Sequence, residues 1–334
     1  MATAEFPESA GTGPQRTPSG TLWRAVSIAL RAPSIFNTQP WRWHLRSGSV
    51  WLWADRTRQM THIDPEGRLL IVSCGVALQH AACALAAIGH RPDTQRWPDP
   101  DHPDLLARLA AGPVREPTPD DIRALHAILS RRTDRRPSAR DTPLATFHLN
   151  ALRGAVEAHG VHLHLVRDEQ LPVLAAATAQ AEQIEFADPE LRDDLDRWTH
   201  RDAIDRDGIT PEQVVPAVSR RIPQRTFLPD REAHLEPGDG SDRWASYAIL
   251  FTDADDRRAW LTAGEALSSL LIEAAQRHVS VNPMSSAVEV PATRAQLAEL
   301  LCHVGHPVLT LRLSPAGGKL PRSPRRAATD AIET

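Results

Sequence analysis

The stretch Arg31–Trp43, RAPSIFNTQPWRW, sets Ser34, Asn37, Thr38 and Gln39 between Pro33 and Pro40. Proline fixes its own φ and biases the residue before it toward extended backbone, so Ala32 and Gln39 are expected to be extended and the loop stiff. Hydroxyl and amide groups held on a stiff loop suit hydrogen bonding to a flat ligand with polar edges. The same residue types also make an ordinary turn leading into an edge strand. A second candidate is the run Arg131-Arg132-Thr133-Asp134-Arg135-Arg136, which follows a helix-like segment over 119–130. Guanidinium groups and a hydroxyl gathered at a helix end make an anion cradle, the competing reading being a solvated charge run. Lys319 is the one lysine in the sequence, so any phosphate grip rests mainly on arginine.

The elements that must position these groups follow from pattern. A helix is expected over 20–30, a hairpin over 41–54 and a long apolar helix over about 73–89, stopped by Gly89. The Pro/Asp-rich residues 91–104 read as loop, and 105–110 as a strand. Composition breaks again at GPVREPTPDD, which puts a domain boundary near residue 115. Beyond it the pattern predicts helices over 119–130, 143–159, 168–186, 256–278 and 291–302, and strands over 161–166, 244–251 and 307–313. A very polar stretch fills 188–242. The long helices CGVALQHAACALAAIG (74–89) and AGEALSSLLIEAAQRH (263–278) nearly share a G-x-A-L core. They read as a decayed tandem repeat of two α+β halves.

Composition narrows the function classes. With 334 residues, 41% of them hydrophobic and 24% charged, the chain is long enough for two ordinary domains with packed cores. A net charge of −4 gives no global electrostatic case for nucleic acid or a membrane surface. Cys74, Cys83 and Cys302 are scattered and form no CxxC pair, so they read as buried free thiols of a cytoplasmic protein. His162/His164 and His303/His306 lack a third ligand at metal-binding spacing, and no metal is expected. Residues 1–19, rich in Gly, Pro, Ser and Thr, read as a disordered tail. No G-x-S-x-G, P-loop or G-x-G-x-x-G supports a hydrolase, NTPase or Rossmann reading.

RAPSIFNTQPWRW resembles the APS-x-x-N-x-QPW signature of nitroreductase-like flavoproteins, and within them the Acg-type actinobacterial proteins that join two such halves in one chain. The resemblance implies a nitroreductase-like α+β fold in which halves 20–115 and 116–334 form an intrachain pseudo-dimer, with a lid insertion at about 188–242. It implies that Pro33, Ser34, Asn37 and Gln39 line one side of an FMN. Arg131, Thr133 and Arg135 fall on the family's RRS-x-R phosphate motif, with Arg132 between them and Thr replacing Ser. The tail PRSPRR is similar to the family's C-terminal clamp, which makes Arg322, Arg325 and Arg326 candidates, Arg325 first. Pro283, Met284, Ser285 and Ser286 fall where the family sets backbone against the flavin, although only Glu289 and Pro291 remain of its Q-x-x-E-x-P pattern. The loop occurs once and the clamps occur once, in opposite halves, so one FMN per chain is implied, at the interface between them.

Two functions follow from the resemblance. One is an FMN-dependent oxidoreductase that takes hydride from NAD(P)H and delivers it to nitroaromatic or quinone-like small molecules, with no side chain as acid–base catalyst. The other is an FMN-sequestering, storage or sensing protein with its lid closed over the flavin. As either, the chain is expected to act as a monomer, already its own pseudo-dimer, or as a homodimer.

Overall fold

The computed structural model describes residues 18–334 apart from 139, 230 and 231. Of the expected tail, residues 1–17 lie outside the described residues, and Pro18 already opens the first helix. That helix, α1 (Pro18–Ala29), leads through the motif loop into β1 (Trp41–Arg46) and β2 (Ser49–Ala54), then α2 (Arg68–Ile88), β3 (His90–Arg96) and β4 (Leu105–Val114). The β1 alternation is visible in its burial, with Trp41 and Trp43 fully enclosed and Arg42 exposed between them. These strands form a sheet of order β3-β4-β2-β1.

The second half runs α3 (Pro119–Ser130), α4 (Thr146–Glu157), β5 (His162–Leu165), α5 (Leu171–Ala187), α6 (Pro189–Thr199), β6 (Ser246–Thr252), α7 (Arg257–Gln276), β7 (Val279–Met284), α8 (Ser286–Glu289), α9 (Pro291–Leu300) and β8 (His306–Pro315). Its antiparallel sheet has the order β5-β6-β8-β7. The chain then returns to the first half. After α10 (Ala328–Ala331), β9 (Ile332–Glu333) pairs parallel with β1, with Trp43 opposite Ile332.

Three expectations are corrected. Residues 91–104 are not all loop, because His90–Arg96 is the edge strand β3, paired to β4 from His90/Val114 to Arg96/Ala107. Pro92 is tolerated there because an edge strand leaves one side of its backbone unpaired, and the ladder slips between His90 and Pro92. Helix α2 begins five residues before the expected start of 73. The Asp64 carboxylate accepts from Leu69 N and Leu70 N at 3.1 and 2.9 Å and so caps the extra turn. Cys302 is exposed in the turn after α9, with φ of 54°, whereas Cys74 is buried.

Helices α2 and α7 carry the G-x-A-L repeats, and the two glycines meet. A Cβ on Gly75 would lie 2.2 Å from the Leu261 carbonyl oxygen and 3.0 Å from Gly264 Cα. A Cβ on Gly264 would lie 2.1 Å from the Val72 carbonyl oxygen and 2.8 Å from Gly75 Cα. Each glycine therefore faces the carbonyl three positions before the other, the signature of a local two-fold relation between the halves. Around this crossing one continuous core joins both sheets, from Trp43 and Leu52 to Leu250 and Leu311. Helix α2 is the one described helix long and apolar enough to cross a membrane, and 83% of its most apolar window is buried inside the protein.

Gly264→Ala should lower stability by about 1–3 kcal/mol in denaturant unfolding, because the added methyl must push two helix backbones apart. Gly154→Ala, at an exposed α4 position with nothing within 4 Å, should instead gain about 0.5–1 kcal/mol. Equal effects at the two sites would refute the close crossing.

Candidate functional site

The motif loop is wound tightly by backbone that side chains rarely adopt. Phe36, Asn37 and Gln39 have φ of 45°, 56° and 50°. Gln39, expected to be extended, is left-handed, and its fully buried side chain explains the exception. Gln39 Nε2 donates to the Asn37 and Arg206 carbonyls at 3.3 and 3.0 Å, and Gln39 Oε1 accepts from Arg326 N at 3.0 Å. Ser34 Oγ accepts from Gln39 N at 2.9 Å, and Ser73 Oγ of α2 accepts from Ile35 N at 3.0 Å.

Two cavities open beside this loop. The first, of about 100 Å3, is lined by Pro33, Ser34 and Phe36 of the loop, Ser73 and Val76 of α2, Thr133 and Arg135, Phe227, and Pro283 and Ser285 at the end of β7. Its walls come from both halves. The second, of about 20 Å3, is lined by Arg31, Arg131, Arg132, Arg322 and Arg325 together with Ile128 and Ser323. Among the described residues none of these arginines forms an ion pair and no carboxylate lines the pocket. Enclosure and the neighbouring Arg131, Arg31 and Arg132 push the Arg325 guanidinium down to about 9, and its Nε is sealed from solvent without a partner. Enclosure and Arg132 likewise push Arg131 down to about 10. Concentrated, unmatched positive charge of this kind is relieved by an anion, and planar guanidinium groups suit a phosphate.

The candidate residues divide by what they touch. Arg131 Nη2 approaches Thr133 Oγ1 at 3.4 Å and so links the arginine pocket to the first cavity. Arg135 is separate from that pocket; it lies over the Phe227 ring at 4.9 Å and donates to the Gln213 carbonyl. Arg132 Nη1 donates to the Leu129, Ser130 and Arg131 carbonyls and closes the end of α3. Arg326 Nη1 donates to the Gln39 and Trp41 carbonyls and braces the loop from behind. Asn37 Oδ1 accepts from Arg325 Nη1 at 2.8 Å, while its Nδ2 donates to the Gly208 and Pro324 carbonyls. Asn37 therefore ties the loop, the C-terminal segment and the 188–242 insertion together. Met284 packs in the core with Leu69 and Val288, and Ser286 is buried at the start of α8, so neither lines the cavity.

Sequence reasoning missed Arg31, Ser73, Val76, Leu267 and Phe227. Arg31 opens the quoted motif and could have been found there. The others are single residues brought in by the helix crossing or the insertion. The insertion lies over the loop: Ile209, Val214 and Leu228 pack with Phe36, Met60 and Ile63, and Asp207 pairs with Arg58. It is fastened by Arg225, whose guanidinium sits between Glu185 and Glu289, all three side chains at most 4% exposed. Arg225 Cζ lies 4.8 Å over the Phe36 ring, and Phe36 meets Phe227 edge-on at 5.5 Å.

Relatives decide the family. The chain is 36% identical over 321 residues to the Mycobacterium tuberculosis protein named "Putative NAD(P)H nitroreductase Rv3131", covering 94% of this chain and 91% of the relative. It is 32% identical over 312 residues to that organism's "Putative NAD(P)H nitroreductase acg", covering 92% and 93%. The chain belongs to the Acg-type nitroreductase family. No family model matches the sequence. A solved nitroreductase with bound FMN from Bacteroides fragilis aligns with 13% identity over 62% of this chain and 96% of its own, at a TM-score of 0.38. Membership agrees with the two-sheet, tandem α+β architecture.

The fastening of the insertion is pH-dependent. Burial and the facing Glu289, against the pull of Arg225, push the Glu185 carboxyl up to about 7. The folded protein then holds a proton that the unfolded chain loses near pH 4.3, so Glu185 costs stability as pH rises between these values, with the full cost present above pH 7. Glu185→Gln should gain on the wild type by about 1–3 kcal/mol between pH 5 and pH 8 in paired thermal melts. A constant difference across that range would disprove the assignment.

Proposed function

We propose that the chain binds one FMN between its halves and uses it as a nitroreductase-like oxidoreductase. The observation that carries this reading is the cluster of unpaired arginines beside a slot built from the motif loop. The residues present fit the group. Arg31, Arg131, Arg322 and Arg325 would hold the phosphate, with the exposed Arg322 free to give way as it enters. Pro33, Ser34, Ser73, Thr133, Pro283 and Ser285 would line the ring system, with Arg135 supplying positive charge at that end. Asn37, Gln39 and Arg326 would act by holding the loop and Arg325 in register.

When bound, FMN supplies two-electron hydride chemistry between NAD(P)H and a nitroaromatic or quinone-like acceptor. The proton that each such reduction also takes up would come from solvent, so the work of the side chains is to bind, orient and limit the access of water. The ring cavity of about 100 Å3 is smaller than the roughly 300–1,000 Å3 that commonly encloses a small ligand. Phe227 and Arg135 line both this cavity and a larger one of about 670 Å3 within the insertion. Phe227 would turn toward that space to admit the ring.

The second reading, FMN sequestration, is favoured by the same closure, because the Phe36–Phe227 contact and the Arg225 anchor hold the insertion down. Anaerobic addition of NADH or NADPH to FMN-loaded protein separates the two. Bleaching of the flavin supports the oxidoreductase, whereas an unchanged oxidised spectrum supports sequestration. Arg131→Ala and Arg325→Ala should each weaken FMN about tenfold or more and leave riboflavin, which lacks the phosphate, within about twofold. Equal losses for both flavins would overturn the phosphate assignment, and absence of flavin binding altogether would overturn both readings.

A further inference from the structure

A cleft of about 870 Å3 shares no lining residue with the motif loop and is floored by β6. Arg220 and Asp242 line its inner end, and Arg312 behind them leaves a surplus of buried positive charge. Arg220 and Arg312, with side chains 6% and 1% exposed, share the single carboxylate of Asp242. Their other bonds go to backbone: Arg220 donates to the Arg135 carbonyl, and Arg312 to those of Asp134 and Arg136. The Asp134 carboxylate is taken by Arg136. At the outer end Arg221 pairs with exposed Asp168.

Tyr247 lies on the same sheet face as Arg312, its register partner, and is 2% exposed. Its Oη is sealed from water and has no hydrogen-bond partner among the described residues. Burial and the charge of Asp242 hold this phenol above its ordinary range, so it keeps its proton and remains a donor. Buried hydroxyls are ordinarily satisfied, and one left over in a cleft wall beside Arg220 is a donor awaiting an acceptor. The mouth is different in kind. Trp244 is 42% exposed with Arg243 stacked at 5.3 Å, and Leu149, Leu165 and Leu171 form the adjoining wall.

We infer that this cleft is a binding site for an aromatic monocarboxylate, distinct from the flavin site. On binding, the carboxylate parts the wall over Tyr247 to take its O–H beside the charge of Arg220, and the ring lies against Trp244 and the leucine wall. A purely inorganic anion would leave the aromatic mouth unused, and an uncharged aromatic would leave the surplus cation unmatched.

Calorimetric titration with benzoate tests this, with cyclohexanecarboxylate and benzamide as controls for ring and charge. Saturable binding of one benzoate per chain is expected, weakened about tenfold by Tyr247→Phe and several-fold by Trp244→Ala, with both controls bound more weakly. Tyr247→Phe keeps the ring and its packing, so its fold is checked simply by its melting curve. The Arg131→Ala/Arg325→Ala double variant should bind benzoate as the wild type does. The inference is overturned by absence of saturable binding, by indifference to Tyr247→Phe, by a control that binds as tightly as benzoate, or by loss of binding in the double variant.

Discussion

Backbone contact between α2 and α7 at Gly75 and Gly264 is the constraint on which the architecture rests. With no Cβ between them, the helices approach closely enough for each to set its glycine against the other's carbonyl. The functional geometry follows from that approach. Ser73 and Val76 reach the cavity from α2, and Leu267 reaches it from α7. The same crossing brings the motif loop of the first half against residues 131–135 and 283–285 of the second. Were the helices held apart by side chains, these walls would separate, since packed interiors respond to a changed spacing as a unit.

A local two-fold axis should generate two equivalent cavities, and the side chains next to the glycines argue for one. Val76, which follows Gly75, lines the cavity. Its counterpart Glu265, which follows Gly264, is buried and clamped by Arg96 at 2.7 and 2.8 Å. Trp97, next to Arg96, stacks under Arg257 at 5.0 Å. An apolar wall on one flank and a neutralised ion pair on the other are different solutions to the same helix position. The ion pair fills the flank that symmetry would leave for a second ligand, which supports a single flavin per chain.

That plug also marks the limit of what was legible. Arg96 ends a strand that the sequence pattern assigned to loop, because Pro92 and the following Asp/Pro run obscured an edge strand. The motif loop, the arginines and the repeat were readable because each is a local cluster of chemically matched residues. Side-chain direction was not. Asn37 and Gln39 sit in the motif yet turn toward backbone carbonyls, since left-handed residues at 36, 37 and 39 rotate the loop away from the path its prolines suggest, and Arg326 of the C-terminal segment braces that loop from behind. The place of Phe227 was unreadable for another reason. It is legible only as one of the aromatics of the polar insertion, with Trp198; residues so far apart carry no periodicity, and only the fold sets Phe227 against Phe36.

Charge is distributed so that the two ends of the candidate site respond to different stimuli. At one end several arginines lack any acid, so an anionic ligand relieves the strain of keeping them together. At the other end one arginine serves two buried glutamates, so the excess is negative and a proton relieves it. Phe36 and Phe227 lie between, touching Arg225 on one side and lining the ring cavity on the other. Ligand occupancy and pH therefore act on opposite ends of one contiguous assembly. Each can bias the insertion without altering the chemistry at the other end. That separation would let a closed site grip an anion at one end while the anchor at the other stays adjustable.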